Sequence, residues 1–376
     1  MNTKNTKNIE FREIKLKEIS AVSNLFNEKW RINHIFYRKP EVLKWQYYEN
    51  PIRSEYTDDM TLLGVFIDDV LYGVHGYIPF IFNYYGKKRR ACHFCNWYAS
   101  PEIRRGPIGI RLTTDVLDQY NFQACFGYAF SDFSRFILKR IGWNIEQAFP
   151  RYVRITNIEN TMEMLNDMAN NKKFYQYLKS TIIKTSVINN INNYLIEEIE
   201  NFNNLKWDNF FWNKLSKNII GPARDKKYLI WRYKKIPIFK YHILYASNHL
   251  GTAGLLIYRI EEVKNTRFKV IRITDILATT EVVEIFAKRV IEIAINEDIA
   301  FVDFFCTLSN FEPILQKQGF IYSKNNQAYP VPFLFSPLET DKLKMEFGWK
   351  IFDQNQSLLK QKLYYTKADG DFDRPN

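Results

Sequence analysis

A predicted strand, 90–99, and a predicted helix, 109–120, are joined by Ser100-Pro101-Glu102-Ile103-Arg104-Arg105-Gly106-Pro107-Ile108-Gly109-Ile110-Arg111-Leu112. Residues before this turn alternate as in a strand, and apolar residues after it recur with helical spacing. Where a turn opens a helix, unpaired backbone N–H groups and the helix dipole favour a bound phosphate. Arg104 and Arg105 would add charge-assisted hydrogen bonds. The alternative interpretation is an ordinary strand-to-helix turn with solvated arginines.

The regions on either side of this turn belong to an internal repeat. Leu43 to Pro51 and Leu229 to Pro237 share the pattern Leu-x-Trp-x-Tyr-x-x-x-Pro, and their tryptophans are 186 residues apart. Segments 137–143 and 314–320 also resemble each other at a similar offset. Such a repeat indicates two copies of one fold. We therefore predict a first lobe at 1–155, a linker at 156–193, a second lobe at 194–340 and a C-terminal tail at 341–376.

Both predicted lobes have the same order of elements. Each begins with a strand and a helix, continues with a hairpin and a long strand, and closes with a helix, a short buried strand and a last helix. In the first lobe the hairpin strands are predicted at 62–67 and 71–82, and the buried strand at 124–128. The predicted fold class is α/β (α+β), with two tandem lobes that each have a mixed central sheet flanked by helices.

Composition limits the class of protein. The chain has 376 residues, 46% hydrophobic and 25% charged, which suits two or three globular domains and excludes disordered and collagen-like classes. No run approaches the roughly 18 apolar residues needed to span a bilayer. Four cysteines are too few for a disulfide framework. We therefore expect a cytoplasmic protein without a membrane span.

The charge and the cysteines constrain the partners. Basic residues that give a net charge of +12 are scattered along the chain. DNA-binding proteins usually concentrate such charge on one face or helix, so we expect phosphorylated small molecules as partners and not DNA. Cys92 and Cys95 form a Cys-x-x-Cys pair, but their side chains would point to opposite faces of a strand. No second ligand pair follows, so no metal site is predicted.

The turn quoted above resembles the pyrophosphate-binding segment of the GNAT N-acetyltransferase superfamily, whose pattern is Arg/Gln-x-x-Gly-x-Gly/Ala. Arg104 takes the first position and Gly109 the last, whereas Pro107 replaces the first glycine and removes an amide donor. The strand at 124–128, the polar Ser131 and the following helix look like the closing elements of that fold. The whole chain resembles the tandem-lobed GNAT proteins found in bacterial surface-polysaccharide gene clusters.

The resemblance implies one acyl-CoA site, in the first lobe. At the corresponding turn the second lobe has Ala278-Thr279-Thr280-Glu281, with neither the glycines nor the arginine. In the first lobe, a strand that splays from its neighbour at 96–99 would leave a backbone N–H to polarise the thioester carbonyl. The resemblance thus assigns acetyl-CoA binding to Asn96, Trp97, Tyr98, Ala99, Arg104, Arg105, Gly106, Pro107, Ile108, Gly109, Ile110 and Ser131.

No proton donor is carried over by the resemblance. Many GNAT members have a tyrosine four residues before the glycine that ends the last helix, where this chain has Leu138 and Leu315. Candidate catalytic residues therefore come from chemistry. His75 is one, because imidazole titrates near neutrality, and Asp275 is the other, because it precedes the second-lobe turn. A structural histidine and a capping or surface carboxylate are the alternatives.

The C-terminal tail is rich in carboxylates. Asp371 and Asp373 either belong to a frayed terminus or fold back and bind a cationic amine acceptor. Three carboxylates in five positions are too few for a calcium loop.

The resemblance implies an acyltransferase, an acyl-CoA-dependent N-acetyltransferase. It would transfer the acetyl group directly to the amine of an amino sugar, nucleotide-linked, during surface glycan biosynthesis. One alternative is a tRNA-dependent aminoacyl or peptidyl transferase of the same fold, which the positive charge favours. Another is a non-catalytic paired-lobe binding protein, which Pro107 and Leu138 favour. No oligomeric state is predicted.

Overall fold

The computed structural model describes residues 8–104, 107–164, 176, 193–263, 266–323, 345–352 and 360–373. The strands in chain order are β1 (Ile9–Glu13), β2 (Leu62–Ile67), β3 (Val70–Tyr84), β4 (Lys87–Ala99), β5 (Ala124–Tyr128), β6 (Asn144–Glu146), β7 (Arg151–Ile155), β8 (Leu195–Glu198), β9 (Ile220–Pro222), β10 (His242–Asn248), β11 (Gly251–Glu262), β12 (Lys269–Ala278), β13 (Phe301–Phe305), β14 (Ile321–Ser323) and β15 (Phe347–Ile351).

The α-helices described are α1 (Ile19–Leu25), α2 (Ile35–Arg38), α3 (Pro40–Tyr47), α4 (Pro101–Arg104), α5 (Ile108–Tyr120), α6 (Asp132–Arg140), α7 (Ile158–Met164), α8 (Trp207–Phe210), α9 (Lys226–Tyr233), α10 (Thr280–Asn296) and α11 (Glu312–Lys317). Two π-helical turns, Phe26–Trp30 and Phe211–Leu215, follow α1 and α8. Within these described ranges, no helix is both long and apolar enough to cross a bilayer.

The two sheets have the same plan. The first has the order β1-β2-β3-β4-β5-β15-β6, with β9 also paired to β3, and the second has the order β14-β7-β13-β12-β11-β10-β8. The neighbours β4 and β5 run parallel in the first sheet, as β12 and β13 do in the second. The remaining pairs of described strands are antiparallel. The prediction of a mixed central sheet in each lobe is confirmed.

The two halves of the chain exchange strands, and β9, from the second-lobe sequence, also pairs with β3 of the first sheet. β7 continues from the first-lobe sequence but lies between β13 and β14 of the second sheet, and β15 comes from the tail but lies between β5 and β6 of the first. The predicted boundaries at 155 and 341 therefore do not coincide with the limits of the sheets, because each half of the chain completes the sheet of the other. Most of the predicted linker, 165–175 and 177–192, lies outside the described residues.

The repeated tryptophans meet where the lobes touch. Trp45 and Trp231 are buried and stack with their ring centroids 5.0 Å apart. Trp45 Nε1 donates to the carbonyl of Trp231 at 3.0 Å, and Trp231 Nε1 donates to the carbonyl of Trp45 at 3.1 Å. Reciprocal contacts between the same two positions are the mark of a two-fold relation. The sequence repeat thus corresponds to a pseudo-two-fold arrangement of the lobes.

The C-terminal segment, which we define as residues 360–373, lies between the lobes. Leu363 forms a bridge to Ile220, and Thr366 forms one to Cys306. The ring of Tyr365 stacks on Phe126 of β5, with centroids 4.4 Å apart. Positions 363–370 are buried throughout. The C-terminal tail was predicted either to fray or to fold back, and in the structure it folds back.

Candidate active site

The first sheet opens at the carboxyl ends of β4 and β5. Their parallel ladder ends at Phe94 and Gly127, after which β4 continues to Ala99 while β5 stops at Tyr128. The residue after β5, Ala129, has a φ of 41°. This left-handed conformation turns the chain. The two strand ends thus diverge and leave a space between them.

A bulge in β4 borders this space. The ladder between β3 and β4 is interrupted after Cys95 and resumes at Tyr98, so Asn96 and Trp97 lie outside it. Asn96 has a φ of 54°, again in the left-handed region. A bulge takes backbone groups out of the ladder. The bulge therefore places Asn96 and Trp97 at the edge of this space.

A cavity of about 340 Å³ occupies the opening between the strands. Its walls come from the bulge, the turn after β5, the start of α6, the turn after α1 and the C-terminal segment. The lining residues are Trp30, Arg31, His34, His75, Phe94, Cys95, Asn96, Trp97, Tyr128, Ala129, Phe130, Ser131, Ser134, Leu138, Asp371 and Phe372.

The cavity brings together predicted site residues from four parts of the chain. Those in its lining are His75, Asn96, Trp97, Ser131 and Asp371. Outside its lining lie the half-buried Tyr98, Ala99 and Ile110, together with the described residues of the predicted phosphate turn. The side chain of Ser131 caps α6 by accepting a hydrogen bond from the amide of Ser134 at 3.1 Å.

Trp97 joins the predicted phosphate turn to the cavity. Its Nε1 donates to the carbonyl of Gly109 at 3.0 Å. The short helix α4 stands between β4 and α5, where the sequence analysis predicted a turn alone. At the end of α4, Arg104 is exposed, and its Nε donates to the carbonyl of Ala99 at 3.1 Å. This guanidinium is therefore held beside the end of β4.

The first turn of α5 has the features of a phosphate site. The amides of Ile108 and Gly109 lie where an α-helix leaves N–H groups without helical partners, while Pro107 has no N–H to offer. A Cβ added at Gly109 would be in ordinary contact with the Cβ of Ala99, 3.9 Å away. Gly109 itself is buried, so Ile108, which is half-buried, is the more accessible of the two amide positions. Two further residues predicted there, Arg105 and Gly106, lie outside the described residues.

His75 lies in the cavity wall with a buried ring. Its Nδ1 is 3.1 Å from the carbonyl oxygen of Leu112, which can only accept, so Nδ1 carries the proton and Nε2 the lone pair. Burial lowers the pKa of His75 to about 4, and the ring is therefore neutral at pH 7. Trp97 stacks on it, with centroids 5.3 Å apart. A neutral imidazole held in one tautomer can accept a proton through Nε2.

Asp275, the second predicted catalytic residue, is not in the cavity lining. It is buried in the second lobe, and its Oδ2 is 3.0 Å from Arg224 Nε. It also accepts hydrogen bonds from the hydroxyls of Tyr233 and Tyr364. These contacts connect β12 to the C-terminal segment, which is a structural role.

The second lobe has a similar opening, but the C-terminal segment fills it. The parallel ladder of β12 and β13 ends at Ile273 and Phe304. Three residues further along β12, the N–H of Ile276 donates to the hydroxyl of Tyr364 at 3.0 Å. The residue three positions beyond the ladder in β4 is Trp97, at the bulge. A tyrosine of the chain itself thus bonds to the backbone of β12 beyond its parallel ladder, whereas Asn96 and Trp97 of β4 line the cavity of lobe one.

The two tail carboxylates predicted to bind an acceptor have different surroundings. Asp371 lines the cavity, and its Oδ1 is 3.6 Å from His93 Nε2 of β4. Asp373 is buried outside the lining, where its Oδ1 accepts from Arg259 at 2.5 Å and its Oδ2 from Tyr241 at 2.6 Å. Only Asp371 is therefore placed to meet a molecule in the cavity.

The sequence analysis missed the turn that follows α1. Trp30, Arg31 and His34 line the cavity, and the Trp30 ring is 5.8 Å from that of Tyr98. No role is predicted for these three residues from the sequence. The available signal was an aromatic residue, a cation and a histidine within five positions, just outside a helix.

Leu138 lines the cavity and provides no proton. A tyrosine in the lining, Tyr128, donates its hydroxyl to the carbonyl of Thr366 at 2.5 Å, and burial raises its pKa well above the usual value. The lining hydroxyls of Ser131 and Ser134 are 2.9 Å apart and bond to each other. No side chain of the lining therefore repeats the acid that the resemblance assigns to a tyrosine.

The cysteines of the Cys-x-x-Cys pair have different neighbours. Cys92 Sγ is 3.8 Å from Cys125 Sγ, whereas Cys95 Sγ is 3.1 Å from the hydroxyl of Tyr47. This confirms that the two side chains point to opposite faces of β4. In the part of the chain that the structure describes, no three His, Cys, Asp or Glu side chains are grouped as a metal ion would require.

Comparisons with known proteins find likeness in structure alone. No protein-family model matches the chain, and no curated protein matches it. A probable N-acyltransferase from Enterococcus faecalis V583 is 12% identical with a TM-score of 0.57, and the match covers 92% of this chain and 73% of that one. A GCN5-related N-acetyltransferase from Kribbella flavida is 11% identical with a TM-score of 0.54, covering 92% and 71% of the two chains.

A third similar structure is a GCN5-related N-acetyltransferase from Anabaena variabilis ATCC 29413. It is 10% identical with a TM-score of 0.56, and the match covers 92% of this chain and 73% of that chain. Coverage of this extent includes both lobes, so the predicted fold class of two tandem GNAT-like lobes is confirmed. The chain has the two-lobed fold of the GCN5-related N-acetyltransferases.

Proposed function

We propose that this protein is an acyl-CoA-dependent N-acyltransferase that acetylates the amine of an amino sugar, in nucleotide-linked form, for surface glycan assembly in the cytoplasm. The observation that carries the proposal is the first-lobe cavity. It lies where the parallel strands β4 and β5 diverge in a GNAT fold, it is joined through Trp97 to a helix N-terminus, and it is lined by the neutral His75 and by Asp371.

Acetyl-CoA, the proposed donor, supplies an activated thioester when bound. The amides of Ile108 and Gly109, with Arg104 beside them, would hold its pyrophosphate, because N–H groups and a guanidinium are good phosphate ligands. The bulge at Asn96 and Trp97 would direct a backbone N–H at the thioester carbonyl. We place a single donor site in lobe one, because Tyr364 bonds to the corresponding amide of lobe two.

His75 is the proposed proton acceptor for the amine. Its Nε2 has the lone pair and its ring is neutral at pH 7, so it can take a proton as the amine attacks. Its low pKa makes it too weak a base to deprotonate the bound ammonium, so the ammonium loses one proton to solvent and His75 takes the proton that the amine releases as it attacks. The thiolate that leaves is a weaker base than the amine, and Leu138 has no proton to give it. Solvent therefore protonates the thiolate.

The acceptor is proposed from the rings and charges of the lining. Trp30, Trp97 and Phe130 provide aromatic faces of the kind that pack on sugar rings. Arg31 brings a positive charge and Asp371 a negative one, which suits an acceptor that has phosphate groups and an amine.

The test is acetyl transfer by the purified full-length chain. Acetyl-CoA would be incubated with glucosamine, glucosamine 6-phosphate and a series of UDP- and dTDP-linked amino sugars, with thiol release and product mass as readouts. We expect at least one amine to gain an acetyl group, and His75→Gln to slow that reaction. Acetyl-CoA binding without transfer to any amine would favour the paired-lobe binding protein. A thermal shift with tRNA and none with acetyl-CoA would favour the tRNA-dependent transferase.

A further inference from the structure

We propose that Asp371 recognises the ammonium group of the acceptor, and that lobe two sets the position of this carboxylate through ion pairs on both sides of it. The inference rests on the proposed acyl-transfer function and deepens it, because it names the charge that the cavity selects and the remote residues that support the selection.

One ion pair lies two residues before Asp371. Asp369 is buried and accepts a hydrogen bond from Arg224 Nη2 at 2.7 Å and one from the hydroxyl of Tyr228 at 3.0 Å. Arg224 is itself paired with Asp275 of β12. The chain before Asp371 is therefore attached to the second sheet by charged groups that no solvent reaches.

Another ion pair lies two residues after Asp371. Asp373 is buried between Arg259 of β11, at 2.5 Å, and Arg232 of α9, at 3.3 Å, with a further hydrogen bond from the hydroxyl of Tyr241. Breaking a buried ion pair leaves an uncompensated charge and is costly. With both neighbours held in this way, the backbone at Asp371 has little freedom.

Residues of the first lobe also lie beside the Asp371 carboxylate. His93 of β4 is fully buried, and its Nδ1 is 2.8 Å from the hydroxyl of Tyr365. Its Nε2 lies 3.6 Å from Asp371 Oδ1 and has no hydrogen-bond partner among the residues that the structure describes. Gly370 packs directly on this imidazole, since a Cβ there would come within 2.4 Å of Nε2. Only glycine allows the segment to approach His93 so closely.

Asp371 differs from its two neighbours because it faces the cavity. Its side chain is 16% exposed, whereas Asp369 and Asp373 are buried, and it lines the cavity with His75. A carboxylate has two oxygens with about four acceptor positions, so it can keep contacts inside the protein and still bind an ammonium. A hydroxyl in the same place would form an uncharged and weaker bond.

The experiment uses the full-length protein and whichever of the named amino sugars wild type acetylates with the highest kcat/KM. Asp371→Asn should raise KM for that amine about 10-fold to 100-fold, the worth of one charge-assisted hydrogen bond, and leave the calorimetric affinity for acetyl-CoA unchanged. Asp371→Glu, which keeps the charge, should recover part of the loss. In calorimetry, wild type should prefer the amine to its hydroxyl counterpart, and Asp371→Asn should not.

The positioning role is tested by Asp373→Asn, a change outside the cavity. We expect KM for the amine to rise several-fold with acetyl-CoA affinity unchanged, and Arg259→Lys, which retains the charge, to have a smaller effect. Arg12→Lys, in the first-lobe ion pair with Glu18, is the matched control and should leave KM unchanged. Thermal unfolding verifies that each variant is folded. If Asp373→Asn does not fold, Arg259→Lys decides the positioning role, and a wild-type KM in that variant would overturn it.

The outcomes of these experiments distinguish the role of Asp371 from the proposed acyl-transfer function. Ammonium recognition would be overturned if wild type acetylates the amine and Asp371→Asn has an unchanged KM for it. It would also be overturned if Asp371→Asn lost affinity for acetyl-CoA by the same factor as its KM for the amine rises. A raised KM in Asp371→Asn but a wild-type KM in folded Asp373→Asn would overturn the role of lobe two. If wild type acetylates no amine, the proposed function falls, and this inference falls with it.

Discussion

The buried, neutral state of His75 predicts how acid changes the stability of the fold. The pKa of His75 is about 4 in the folded protein and 6.5 for an unperturbed histidine. Between these values the unfolded chain binds more protons than the folded one, so the free energy of unfolding falls as the pH falls. From pH 7.5 to pH 5.0 the loss from this group comes to about 2 kcal/mol.

The perturbation that isolates this loss is His75→Gln. Glutamine does not titrate, and its amide can still donate to the carbonyl of Leu112. Urea unfolding of both proteins at pH 7.5 and pH 5.0 gives the four free energies needed. We expect the mutant to lose about 2 kcal/mol less than wild type over this interval. Equal losses in the two proteins would refute the argument that the imidazole is held neutral.

Four further predictions follow from the site and the fold. His75→Gln should lower turnover about 10²-fold with unchanged acetyl-CoA affinity, and the loss should be similar at pH 7 and pH 9 because the ring is neutral at both; wild-type turnover in the folded mutant would make His75 structural. Arg104→Ala should weaken acetyl-CoA binding by about 1.5–3 kcal/mol in calorimetry, whereas Arg111→Ala, on the surface of α5, should not. The same titration should give one acetyl-CoA per chain, and two equivalent sites would contradict the filled opening of lobe two. Trp45→Ala should cost about 3–5 kcal/mol of unfolding free energy, because it removes a buried ring and leaves Trp231 without its stacking partner.

Much of the local structure was predictable from the chain. The predicted strands at 62–67 and 124–128 have the bounds of β2 and β5, and the predicted helix at 109–120 differs from α5 by one residue. Alternation and helical spacing are local properties that follow from the burial of one face. The repeat around Trp45 and Trp231 was visible for a similar reason, since the same contact requires the same residue types in each lobe.

The candidate site was predictable only in part. His75, Asn96, Trp97, Ser131 and Asp371 were named from the sequence and line one cavity. The resemblance indicated three of these residues, Asn96, Trp97 and Ser131, but it could not separate the positions in the lining from those beside it. That difference depends on how β4 bends at its bulge and on where α4 and α5 lie, and neither follows from a motif.

Asp275 and Asp371 show why the rest required the fold. Both are aspartates in plausible positions, and nothing adjacent in the sequence distinguishes them. In the structure one is buried against Arg224, 51 residues away in the chain, and the other reaches a cavity of the opposite lobe. Partners so distant are selected by the packing of whole elements.

By itself the sequence determined most of the strands and helices of each lobe and the duplication, because these depend on side-chain periodicity and backbone preferences over a few residues. Only the tertiary structure decided which sheet β7 and β15 join, that Tyr364 fills the opening of lobe two, and that Asp371 enters the cavity of lobe one. A strand with one alternating pattern can pair with either of two similar sheets. The choice between them is made by the contacts of the complete chain, which no local segment contains.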